Sequence, residues 1–144
     1  MAVKRIIEQQ KYQLTGGSSE IYSDFVQSFF PHPTTGNISR RVNVDAVKMS
    51  LRNLILTNKY ERLKNPGFGT NIRRHLFELF TQTTADDLEN DIRDAIENYE
   101  PRVRILELNV IPNEDQNQMT VNLLFSVITN QEPQELELTL FRVR

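Results

Sequence analysis

Tyr99-Glu100-Pro101-Arg102-Val103 is the stretch where this chain changes its rhythm. Before it, apolar residues recur at helical spacing; after it, they alternate with polar ones. A proline drives the residue before it out of the helical region, so Pro101 ends a helix at Glu100 and opens an extended segment at Val103. Upstream, Leu88, Ile92, Ala95, Ile96 and Tyr99 form one stripe of a helix over about Ala85 to Tyr99. Thr83 or Thr84 is its expected cap, with Asp86 and Asp87 complementing the dipole in its first turn. Downstream, Leu106, Leu108 and Val110 share one face of a first strand. Met119, Val121, Leu123, Phe125 and Val127 share a face of the second, and Leu136, Leu138 and Leu140 of the third. A polar turn at Asn113-Glu114-Asp115-Gln116-Asn117 and another over 130–134, containing Pro133, separate them. Connections this short make an antiparallel meander, and its apolar face needs cover. The fold class is therefore α+β, with N-terminal helices packed on a C-terminal three-stranded antiparallel sheet.

A further helix is expected from about Val44 to Thr57, capped by Asn43 or Asp45, with Val44, Val47, Leu51, Leu54 and Ile55 on one face. Asn65-Pro66-Gly67-Phe68-Gly69-Thr70 then reads as a tight turn, since its glycines reach backbone angles closed to other residues. Ile72 to Phe80 reads as a short helix with Leu76, Leu79 and Phe80 inward. Pro31 and Pro33 break any helix over 22–42, which is expected to be irregular, its aromatics packing onto the body. Residues 1–21, with Gly16-Gly17-Ser18-Ser19, read as a flexible N-terminal extension before a single domain over 22–144.

Composition narrows the function. At 144 residues with 38% apolar and 25% charged side chains, the chain suits one soluble domain. Its net charge of −2 offers no general attraction to nucleic acid or to anionic membrane, so neither is an expected partner. The absence of cysteine excludes disulfides, thiolate metal sites and cysteine nucleophiles. No run approaches the roughly 20 apolar residues of a membrane span, and Met1-Ala2-Val3-Lys4-Arg5 opens no signal-peptide core. These features point to a cytosolic chain, or one built into something assembled there.

Catalytic patterns are weak. His32 and His75 lack neighbouring ligands and read as surface residues, and no serine sits in a nucleophile elbow, so neither cofactor nor metal is expected. Glu78, Glu89, Glu97, Glu100 and Glu107 include pairs that a glycosidase would need, but nineteen acids in a small domain create such pairs by chance. The Arg40-Arg41 and Arg73-Arg74 clusters, and the Arg102 and Arg104 pair, suit bidentate bridges to carboxylates, on a partner or on Glu100. Leu124 and Ile128, with Phe141 and Val143, make a second apolar sheet face. Two accounts of it stay open: cover by the aromatic segment 22–30, or an exposed patch awaiting another chain.

Several stretches carry a family resemblance. Ser50-Leu51-Arg52-Asn53-Leu54-Ile55-Leu56-Thr57, Glu61-Arg62, Asn65-Pro66-Gly67-Phe68-Gly69, Leu76-Phe77-Glu78 and above all Tyr99-Glu100-Pro101-Arg102 resemble the baseplate wedge and sheath-initiator family of contractile-tailed phages. Asn109-Val110-Ile111-Pro112 and Phe125-Ser126-Val127-Ile128 are similar to the T-even gene-25 type, whose relatives serve in type VI secretion. The likeness covers about Tyr22 to Arg144. It implies a structural virion protein of the tail baseplate, assembled in the host cytoplasm, that binds wedge core proteins and initiates the tail sheath around the tail tube. Wedge core proteins and the sheath protein are then the implied partners, with tube proteins as further candidates. Carried over, Glu100, Pro101 and Arg102 would face the wedge core, and Arg102 would be dispensable for stability. The last strand, running to the chain end with Phe141 and Val143, would present an uncovered edge to which sheath subunits add a strand, with the strand over 103–111 as the alternative edge. Some relatives carry a lysozyme label, which leaves a peptidoglycan hydrolase as the alternative.

Overall fold

The computed structural model describes residues 20–31 and 33–142. Two compact units divide the chain, Met1–Asn43 and Val44–Arg144. The extension expected over 1–21 lies, except for Glu20 and Ile21, outside the described residues, as do His32 and Val143.

In the first unit, β1 (Ser23–Phe25) pairs antiparallel with β2 (Arg40–Val42), Ser23 opposite Val42 and Phe25 opposite Arg40. A bridge between Pro31 and Ile38 continues the approach of the two arms. This small sheet corrects the irregular path expected over 22–42; strands of three residues are too short to show alternation in the sequence. The expected burial of the aromatics is corrected too, because Phe25, Phe29 and Phe30 are all exposed.

The second unit begins within α1 (Asn43–Leu56), which buries Val47, Leu51, Leu54 and Ile55 as its spacing requires, together with Ala46 and Met49. The next helix, α2 (Ile72–Phe77), stops three residues before its expected end. Leu79 is consequently 79% exposed rather than inward, whereas Phe80 is buried. Then α3 (Gln82–Tyr99) starts at Thr81, whose hydroxyl accepts from the Thr84 amide at 3.3 Å. The cap is thus neither Thr83 nor Thr84, and the earlier start leaves Asp86 and Asp87 outside the first turn. Leu88, Ile92, Ala95 and Ile96 are buried as expected. Each fully buried leucine or isoleucine contributes about 1.5–3 kcal/mol.

Beyond Pro101, β3 (Val103–Asn113), β4 (Gln118–Val127) and β5 (Asn130–Phe141) form an antiparallel sheet in the order β3-β4-β5. Central β4 alternates without a fault, with Met119, Val121, Leu123, Phe125 and Val127 all buried. In β3 the register slips between Ile105 and Glu107, so Leu106 is an extra residue and is 48% exposed. A bulge of this kind reverses which residues face inward. Val103 and Ile105 are half-buried before it, Leu108 and Val110 buried after it. The last strand starts at Asn130 and contains Pro133, correcting the turn expected over 130–134. An edge strand with an irregular register, here opposite Phe125 to Val127, is where proline is tolerated. Helix α3 lies in contact with β3.

Candidate functional site

Two joints and the edge strand β5 hold the residues singled out by the sequence. The first joint is the loop between α1 and α2. The Thr70 amide donates to the Thr57 carbonyl at 2.9 Å, and the Lys59 amide to the Thr70 carbonyl at 3.0 Å. The buried Thr70 hydroxyl reaches the Ile55 carbonyl at 2.8 Å. Gly69, at φ 106°, lies so close to α1's end that a Cβ there would stand 2.9 Å from the Thr57 carbonyl carbon. A Cβ on Gly67 would come within 2.6 Å of the Tyr99 hydroxyl. Phe68 meets the Tyr99 ring edge-on at 5.3 Å, and the Arg62 guanidinium lies 3.9 Å above Phe68. This loop is therefore fastened at one side to α1 and at the other to the last residue of α3.

The second joint follows directly. Glu100 caps α3, donating its amide to the Ile96 carbonyl at 2.9 Å, and Pro101 turns the chain into β3. Glu100 is only 4% exposed. Its carboxylate accepts from Arg102 Nε and Nη2, the latter at 2.8 Å, and from the Ser50 hydroxyl on α1 at 2.6 Å. Arg102 Nη2 also reaches Ser50 Oγ at 3.3 Å. Burial would push the Glu100 carboxyl up, but the bonds from Arg102 and Ser50, and the arginine's charge, outweigh it and hold the group below its ordinary range. Of the three residues expected to face a partner, Pro101 is exposed, Arg102 is half-buried on Glu100, and Glu100 is enclosed. The guanidinium thus has an internal carboxylate, and with it a part in stability that a purely partner-facing arginine would lack. Arg104 stays exposed.

Nearby, His75 is 5% exposed, which corrects its reading as a surface residue. Its Nε2 lies 3.0 Å from Asp91 Oδ2 on α3. The same carboxylate accepts from Asn71 at 3.2 Å and lies 3.8 Å from the Lys59 ammonium. Burial raises the Asp91 carboxyl's affinity for protons, but the His75 bond, the Lys59 charge and the Asn71 bond together hold its pKa down. Asp91 thereby ties α2 and the 57–71 loop to α3. Neither Ser50 nor Asp91 was legible as a site residue, because their partners lie 50 and 16 residues away in sequence. Of the five glutamates considered for catalysis, Glu78, Glu89 and Glu100 are each engaged by an arginine.

The sheet has two edge strands, β3 and β5, and β5 carries the C-terminal residues singled out above. Phe141 is exposed at its end, and Ile128 is exposed at the start of the turn before it. Leu124 is half-buried, and Val143 lies outside the described residues.

Fold and joints together define an α+β domain whose polar residues fix the backbone where helices meet the sheet. A family model described as baseplate wedge protein gp25 matches residues 41–132, a span that holds both joints. The baseplate wedge protein gp25 of Enterobacteria phage T4 is 41% identical over 101 residues, covering 70% of this chain and 75% of that protein. The chain belongs to the baseplate wedge protein gp25 family. Among solved structures, a putative tail lysozyme from Geobacter sulfurreducens shares the fold with a TM-score of 0.63 at 23% identity, over 69% of this chain and 91% of that one. A chain of the anti-feeding prophage baseplate does so with a TM-score of 0.57 at 20% identity, over 85% and 87% respectively.

Proposed function

We propose that this chain is a structural component of a contractile-tail baseplate wedge, which binds wedge core proteins and initiates the sheath around the tail tube. Family membership over 41–132 is the observation that carries this reading. In it, the helices form the layer that covers the sheet, and the clamp of Ser50, Glu100 and Arg102 fixes the exposed turn at Pro101 toward the wedge core. The protein is part of the virion tail, assembled in the host cytoplasm, and the extension over 1–21 precedes the wedge domain. Co-elution of the purified chain with wedge core proteins of the same tail tests the reading; failure to bind any of them refutes it.

Catalysis has no part in this proposal. A glycosidase acid must hold its proton near neutral pH. Glu100 is held ionised instead, and Glu78 is half-exposed with Arg74 at 3.2 Å. Purified protein is expected to leave the turbidity of a cell-wall suspension unchanged. Clearing that disappears in a folded Glu78→Gln variant would establish the hydrolase alternative.

Sheath initiation is proposed to use strand addition on β5, with Phe141 and Val143 supplying side-chain contacts. The Arg142 amide donates to the Asn117 carbonyl at 3.2 Å, across the turn side of β4. Strand amides alternate in direction, so those of residues 140 and 138 also face β4 while those of 141 and 139 face away. Thr139→Pro therefore removes an outward donor and leaves the bonds to β4 intact. Its melting is expected to stay within about 1 kcal/mol of the parent, wedge binding to persist, and sheath polymerisation to stop. Normal sheath on the folded variant would eliminate strand addition at this edge.

A further inference from the structure

Beside the outward edge of β5 lies a groove of about 570 Å³, bounded by the end of α1, by α2 and by the end of β5. Leu56, Ile72, Leu76 and Leu140 make its apolar surface, and Phe77 and Phe141 stand at its sides. Leu56, Phe77 and Phe141 are substantially exposed, so a real area of hydrocarbon meets water here. Two arginines border it. Arg73 pairs with Glu61 at 3.4 Å yet keeps its side chain 74% exposed, and Arg142 holds its guanidinium 5.8 Å from the centre of the Phe77 ring.

The position relative to the strand matters as much as the lining. Leu140 faces the helices and lines the groove, whereas the amides of Thr139 and Phe141 point out from the edge. A polypeptide laid along that edge would direct every second side chain to the helix side of the sheet, into this groove. A groove of this size has room for a large apolar side chain together with its neighbours along the segment. The arginines then select what flanks that side chain. A carboxylate matches Arg142 and the exposed side of Arg73 that Glu61 leaves to solvent, while an ammonium is repelled by Arg142.

We infer that the groove between α2 and the end of β5 is a docking site for an extended acidic segment of a partner protein, which inserts a large apolar side chain and presents carboxylates to Arg73 and Arg142. This rests on the proposed use of the β5 edge and adds the side-chain chemistry that would distinguish one strand from another. The chain's own edge sequence, Glu135-Leu136-Glu137-Leu138, is of the same acidic-apolar kind. A second copy is therefore the competing occupant.

The test uses the full chain and a fluorescein-labelled ten-residue peptide alternating large apolar residues with glutamate and serine. Its twin carries lysine in place of glutamate. Fluorescence anisotropy is expected to show the acidic peptide binding at least about tenfold more tightly than the twin, on the scale of two rim charge contacts. Arg73→Glu combined with Arg142→Glu should reverse that preference, and Leu56→Glu should abolish binding of either peptide while the fold, checked by circular dichroism, is retained. Equal binding of the two peptides, binding of neither, or indifference to both groove variants overturns the inference. So does concentration-dependent dimerisation of the free chain that Leu56→Glu abolishes, because the groove is then occupied by a second copy. Thr139→Pro separates the two levels. Acidic-peptide binding that survives it but not Leu56→Glu leaves the groove standing without strand addition. Binding lost on Thr139→Pro yet unaffected by the groove variants leaves strand addition standing without the groove.

Discussion

Gly69→Ala is expected to cost about 4 kcal/mol or more, lowering the melting temperature by roughly 12 °C for a domain of this size. Two separate penalties combine at this position. The backbone sits at φ 106°, where a residue with a side chain is strained, and the new Cβ would overlap the Thr57 carbonyl. That carbonyl cannot move away freely, because it accepts the Thr70 amide that closes the loop onto α1. Other glycines give an internal scale. Gly36 also has a positive φ, 69°, but nothing lies within 4 Å of its Cβ position, so Gly36→Ala carries only a backbone penalty of about 1–2 kcal/mol. Gly67→Ala meets only the Tyr99 hydroxyl, the far end of a side chain that can shift. Urea unfolding of the three variants should place Gly69→Ala well below the other two. A Gly69→Ala midpoint within 1 kcal/mol of the parent would mean that the loop is not fastened to α1 as described.

How much of this was legible depends on whether the deciding contact was local. Pro101 acts on its own neighbour, so the helix end and the strand start were both visible in the sequence. The run from Met119 to Val127 was equally plain, because a central strand with one buried face must alternate. Leu106 was misassigned since a bulge leaves the hydrophobic pattern intact while changing the pairing, and only the partner strand reveals it. Leu79 was misassigned for a related reason: a helix of six residues is too short for its period to fix its end. His75 looked superficial because its partner, Asp91, lies on another helix. The same applies to Glu100. Its pairing with Arg102 was one of two options the sequence allowed, but the Ser50 hydroxyl that completes the clamp comes from α1.

Removing that clamp's cation gives the second large effect. Arg102→Ala is expected to cost about 3 kcal/mol near neutral pH, because it leaves the enclosed Glu100 carboxylate with only the Ser50 hydroxyl for support. The pH dependence identifies the cause. In the parent, Glu100 is held below its ordinary range, so its contribution to stability is complete above about pH 4.3 and is lost as pH falls through the lower folded value. Without Arg102, burial is opposed by the Ser50 bond alone, so the folded carboxyl binds its proton more tightly than it does in the parent. Acid therefore weakens the parent more than the variant, and the gap between their unfolding free energies should narrow as pH drops from about 6 to about 3.5. Asp91 is also held low and weakens both proteins in the same window, so it cancels in the difference. A gap that stays constant over this range would show that Arg102 stabilises by packing and not by its charge. Glu100→Gln supplies the functional separation, since it removes the charge but keeps a planar acceptor for Arg102 and Ser50. If wedge binding depends on the turn being held at Pro101, this variant should bind far better than Arg102→Ala at equal folded fraction. Equal loss in both would mean that the wedge core reads the carboxylate itself.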